Sequence, residues 1–84
     1  MADGDRRMTP DEYVVSAIRT LRGPESAGIH SRFSGFNRAF RAYFPDLDPV
    51  ETTTRLARAG IISIRPARGG VMLYLADEGP AAPA

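Results

Sequence analysis

The chain contains no cysteine, no lysine and only one histidine among its 84 residues. The lack of cysteine excludes disulfides, thiolate nucleophiles and any Cys-based zinc site, and His30 alone cannot assemble a metal site. There is no acid pair at a helical spacing that would meet in a pocket and no Walker-type loop, since Gly69-Gly70 by itself is not a phosphate cradle. The expectation is a protein that is not an enzyme and takes no cofactor and no metal.

Long apolar runs are missing too. The longest, residues 71–76, is far short of the roughly 20 residues needed to cross a bilayer, and the first residues are acidic and basic instead of an apolar signal core. The expected location is cytoplasmic, with no membrane partner. A chain this short forms one domain that buries a modest share of its surface, and nothing covalent staples it. Either its core is efficient or a partner completes it.

The formal net charge is only +1, but it is unevenly distributed. Residues 19–68 hold nine arginines (19, 22, 32, 38, 41, 55, 58, 65 and 68) against Glu25, Asp46, Asp48 and Glu51, a local balance of +5, while both ends are acidic. With lysine absent, every cation is a planar guanidinium, suited to bidentate binding of phosphates or guanine edges. Codon bias in a GC-rich genome accounts for the same preference and also for the abundant Ala, Gly and Pro.

Residues 1–8 are polar and aperiodic and read as a tail. Thr9-Pro10-Asp11-Glu12 has an N-cap threonine, a proline at the first helical position and a glutamate three after the cap, the capping-box signature. It opens a first helix, α1, whose stripe of Tyr13 or Val14, Ala17, Ile18 and Leu21 should face a core before Gly23-Pro24 ends it. Alternation over residues 29–33 predicts a short strand, β1. Ser34 can cap a second helix, α2, with Phe36, Ala39, Phe40 and Tyr43 or Phe44 inward and Asn37, Arg38 and Arg41 outward, stopped by Pro45. A third helix, α3, has Asp48 at its cap, Pro49 in its first turn, Glu51 three after the cap and Gly60 beyond its end. Residues 61–65 and 71–75 read as strands β2 and β3, joined by residues 66–70, with Pro66 opening the hairpin tip. Residues 77–84 read as a second tail, leaving 9–76 as the domain.

A short connection between α2 and α3 is a helix-turn-helix arrangement. With the junction "TRLARAGII", in which Leu56 stands four before Gly60 and Ile61 and Ile62 begin a hairpin, residues 10–76 resemble the winged helix-turn-helix superfamily. The segment "SRFSGFNRAFRAYF" is more aromatic than most second helices of that superfamily. The resemblance implies a small α+β fold, α1-β1-α2-α3-β2-wing-β3, with α3 in the major groove of double-stranded DNA and the wing on the backbone.

In α3, residues 50, 53, 56 and 57 share a side, so Val50, Thr53, Leu56 and Ala57 should face the core, the Thr53 hydroxyl bonding back to a carbonyl one turn earlier. Thr52, Thr54, Arg55 and Arg58 then lie outward with Glu51. There Thr can meet phosphate, base or a thymine methyl, and Arg can fork onto guanine. Arg65 and Arg68 flank the wing tip, and Arg38 and Arg41 lie on the face of α2 that crosses the DNA backbone in such folds. An ordinary solvated surface remains the alternative for each of these eight residues.

Phe33, Phe36, Phe40, Tyr43 and Phe44 could stack on single-stranded bases, but their helical spacing assigns them to the core. Tyr13, Met72 and Tyr74 could form a patch for a second copy, giving a homodimer. The expected function is a DNA-binding transcriptional regulator. A winged-helix module for protein docking or dimerisation, and one for double-stranded RNA or Z-form nucleic acid, are the alternatives.

Overall fold

A computed structural model describes residues 8–24 and 26–78. The tails expected over 1–8 and 77–84 lie outside these residues except for Met8, Asp77 and Glu78. The elements run α1 (Pro10–Leu21), β1 (Gly28–His30), α2 (Phe36–Tyr43), α3 (Pro49–Arg58), β2 (Ile62–Ala67) and β3 (Gly70–Leu75). Three helices and a three-stranded antiparallel sheet, in the order β1-β3-β2, make up a small α+β domain. Among the described residues no helix is long and apolar enough to cross a membrane.

The helix starts follow their caps. The Thr9 hydroxyl accepts from the Glu12 amide at 3.1 Å and the Glu12 carboxylate accepts from the Thr9 amide at 2.9 Å, so two otherwise unpaired donors are satisfied reciprocally. Asp48 caps α3 through a longer bond, 3.4 Å from the Glu51 amide. At the other end of α3 the Gly60 amide donates to Ala57 O and the Ile61 amide to Leu56 O. This crossed pair of bonds stops the helix and turns the chain directly into β2.

Two expectations change at the second helix and the strand before it. β1 ends at His30 instead of running to Phe33, because the His30 Nδ1 accepts from the backbone amides of Arg32 and Phe33, both at 3.0 Å, and curls the chain into a turn. The N-cap of α2 is Gly35, with φ at 85°, one residue later than Ser34. Ser34 still serves the helix start by accepting from the Phe36 amide at 3.2 Å.

The wing is more regular than expected. β2 continues through Pro66 to Ala67, which pairs with Gly70 across a two-residue turn, Arg68-Gly69. In such a hairpin the closing pair exchanges hydrogen bonds and the next pair does not. That next pair is Pro66 and Val71, so the donor that proline lacks would point away from β3. Val71 correspondingly turns its backbone groups to the opposite neighbour: its carbonyl accepts from the Ser31 amide at 2.8 Å and its amide donates to the Ser31 hydroxyl at 3.2 Å.

Val14 and Ile18 of α1, Phe36 and Phe40 of α2, Leu56 of α3 and Ile29, Ile62, Leu73 and Leu75 of the sheet form one buried cluster. Removing each such side chain from water contributes about 1.5–3 kcal/mol, which is how a chain without staples holds together. Tyr13 seats α1 on α2 through ring contacts with Phe40, Tyr43 and Phe44 at centroid separations of 5.8, 4.8 and 5.5 Å. Leu21, expected in the stripe of α1, is exposed instead.

Strand alternation puts Ile29, Leu73 and Ile64 on the inner sheet face and His30, Met72 and Arg65 on the outer one. Tyr13 therefore does not share a patch with Met72 and Tyr74. Tyr74 lies over Gly28, where an added Cβ would stand 2.6 Å from the tyrosine ring and 2.8 Å from Leu73 O. Replacing Gly28 by alanine should destabilise the domain by about 1–3 kcal/mol, the usual cost of overpacking, because a backbone atom cannot move aside. Urea unfolding followed by circular dichroism measures this, and an unchanged midpoint would show that β1 is free to shift.

Candidate nucleic-acid interface

The buried side of α3 is Pro49, Thr52, Thr53 and Leu56, an i, i+3, i+4, i+7 set. This rotates the helix relative to the expected frame. Thr52 is only 7% exposed, so it is not an outward-facing contact residue, and Val50, expected inside, is 57% exposed. Pro49 is the reason, since its ring fills the core position that the sequence reading gave to Val50. Thr53 is buried as expected, and its hydroxyl donates to Pro49 O at 2.9 Å.

The remaining positions of α3 divide between two flanks and an outward ridge. Arg55 lies on the flank toward α1, where its Nη2 and Nη1 reach the two carboxylate oxygens of Asp11 at 2.6 and 3.3 Å. This fork holds Arg55 away from the wing and neutralises it locally. Arg58 occupies the exposed ridge. Val50 and the half-buried Thr54 belong to the flank facing the wing, where they line a cleft with Ile64, Val71, Gly70 and Ser31.

The walls of this cleft also include Arg32 and Asn37, and both of these line a second concavity with Phe33, Gly35, Arg38 and Arg41. The two depressions therefore form one continuous surface from the outer side of α2, across the turn after β1, to α3 and the wing turn. The backbone amide of Asn37 donates to Ser31 O at 2.9 Å, which anchors the first turn of α2 beside β1. Arg41 approaches the α3 cap, Asp48, at 3.7 Å. Arg32, Arg38, Arg58 and Arg68 make no ion pair among the described residues. Arg65 is on the outer sheet face beside Met72, not on the side facing α3.

Of the eight residues expected to contact DNA, Thr54, Arg38 and Arg41 line this surface, Arg68 adjoins it as the neighbour of Gly69, and Arg58 follows Thr54 one turn along α3. Thr52 is interior, Arg55 is held on the far flank and Arg65 is on the other sheet face. Arg32 and Asn37, not singled out by the sequence pattern, line the surface as well, and Phe33, assigned to the core by its spacing, is exposed there instead; all three lie within or beside the turn that replaces the end of the expected strand. The available signal was Gly35, which separates Phe33 from the helical aromatics.

Among the described residues no cluster of three His, Asp or Glu side chains is placed to hold a metal ion. No family model, no curated protein and no solved structure matches the chain.

Hydrogen bonding from Arg55 holds the Asp11 carboxyl below its ordinary range, the Coulombic attraction of the same guanidinium adds to this, and partial desolvation opposes both. A carboxylate depressed in the folded state stabilises the fold above its unfolded-state value of about 4, and that contribution is lost as pH falls through the folded-state value. Carbon-detected NMR titration should therefore find Asp11 titrating low in the native chain and at the ordinary position in Arg55→Ala. Matching titrations in both proteins would mean that the fork does not form in solution.

Proposed function

We propose that the domain is a winged helix-turn-helix module that binds double-stranded DNA, consistent with a regulator of transcription. The observation that carries this reading is the single surface on which Arg32, Asn37, Arg38 and Arg41 meet the exposed flank of α3 and the wing turn. The element order supports it as well, with a wing following α3 directly. In this reading Arg38 and Arg41 position the backbone from α2, Thr54 and Arg58 face the groove, and Arg68 reaches a neighbouring phosphate from the wing tip. Arg55 and Thr52 drop out of the contact set, one neutralised by Asp11 and the other buried.

A second reading, docking of another protein, is favoured by the apolar depression between α1 and α2, where the exposed Met8 and Leu21 stand beside Tyr13, Ala17 and Tyr43. The two readings differ in charge dependence. Fluorescence anisotropy with a random-sequence duplex should show affinity falling steeply with salt, with each of Arg38→Ala, Arg58→Ala and Arg68→Ala reducing the log–log slope by about 0.9. Arg55→Ala should reduce it by much less. Absence of duplex binding at low salt would remove the DNA reading and leave the docking one.

A further inference from the structure

Phe33 is the most exposed aromatic of the 33–44 segment, at 70% exposure. An exposed phenylalanine in a turn is ordinarily mobile. This one is held from three directions. One face of its ring stacks on the His30 imidazole, with centroids 4.1 Å apart and planes 12° from parallel. Its backbone amide donates to His30 Nδ1 at 3.0 Å. Its edge meets the wing turn so closely that a Cβ on Gly69 would stand 3.0 Å from Phe33 Cζ.

The imidazole is itself fixed. Its Nε2 lies 2.9 Å from the carbonyl of Arg68, and because a carbonyl can only accept, Nε2 carries the proton while Nδ1 receives the amides of Arg32 and Phe33. His30 therefore ties the turn after β1 to the tip of the wing. The outcome is a flat ring backed on one side and open on the other, standing in the same concavity as Arg32, Arg38 and Arg41, with Arg68 in the adjoining tip. Nothing in the core requires it, since Phe36, Phe40 and Leu56 fill the interior without Phe33.

We infer that the Phe33–His30 stack is a platform for an unpaired nucleobase, with Arg32, Arg38 and Arg41 taking the phosphates of the same strand. Aromatic faces bind bases of any sequence by stacking, and basic side chains at the edges follow the backbone. The three arginines that line the concavity of Phe33, with no acidic residue in the same wall, favour a polyanionic strand over a protein partner. The fixed ring loses little side-chain freedom on binding, which favours affinity. This inference rests on the nucleic-acid reading of the same surface and extends it from paired to unpaired strands, such as an overhang, a loop or a melted end.

The test uses the full chain, with anisotropy measured at low salt for a labelled duplex, a short oligothymidylate and an abasic oligomer of equal length. The base-bearing strand should bind about 10-fold or more tightly than the abasic one. Phe33→Ala should abolish that difference while leaving the abasic strand unaffected, and Phe33→Trp should restore it. Because Phe33 is exposed, Phe33→Ala should melt close to the parent temperature. A 2-aminopurine placed in the strand should be quenched by the parent and not by Phe33→Ala. Equal binding of abasic and base-bearing strands would overturn the platform and leave the charge-based reading standing. Failure of all three probes to bind would overturn both. Oligothymidylate binding that depends on Phe33 without any duplex binding would uphold the platform and remove the duplex reading.

Discussion

The seat of the three-residue strand β1 on β3 is the constraint on which the rest depends. Residues 28–31 meet residues 71–74 some forty positions later, and the contact is sealed by two bonds between Ser31 and Val71. Glycine makes the approach possible at both ends. Gly28 leaves room for the Tyr74 ring, and a Cβ on Gly70 would stand 2.7 Å from the Ser31 hydroxyl oxygen and 3.0 Å from His30 Cε1. With β1 in place, the chain leaving it must turn beside the tip of the wing, which brings Arg32 and Phe33 next to Gly69 and places α2 alongside. Without that seat, the turn that carries Arg32 and Phe33 would lose its place beside the wing tip.

Charge acquires its direction from the same arrangement. A total of +1 conveys little, but among the described residues Arg22 meets Glu78, Arg41 meets Asp48 and Arg55 meets Asp11. Such exposed pairs add little to stability. The fork on Asp11 takes Arg55 out of the available cations, whereas Arg41 meets Asp48 only at 3.7 Å and keeps its place in the concavity. Arg32, Arg38, Arg58 and Arg68 make no ion pair among the described residues, and the concavity that Arg32 and Arg38 line carries no acidic residue in its wall. Fixed positive charge over a concave surface attracts polyanions at long range and loses that attraction in salt.

Element order was legible in the sequence because caps and stops are local chemistry. Thr9 with Glu12, Asp48 before Pro49 and Gly60 after Arg58 each act within one helical turn, and the helices begin and end where they stand. The rotation of α3 was less legible. A proline at the first turn marks a helix start, but whether its ring also packs inward depends on what lies beneath it, and Pro49 took the place given to Val50. The site was the least legible. Phe33 sits at a helical spacing from Phe36 and Phe40, so periodicity placed it in the core, and only the left-handed Gly35 and the His30 bonds, made by a side chain to backbone amides, take it out of register. Arg55 looked like a groove contact because its partner, Asp11, is 44 residues away in the chain.

Nucleic-acid binding in this domain rests on one proposed surface, running from the outer side of α2 through the turn after β1 to the ridge of α3 and the wing tip. Amide chemical-shift mapping while titrating a duplex with a short single-stranded overhang tests it most directly. The largest changes should fall together on residues 32–38, on Thr54 and Arg58, and on Arg68 through Gly70, with α1 little affected. Changes centred instead on the α1 side, around Asp11, Arg19 and Ile61, or confined to the outer sheet face around Tyr74, would contradict it.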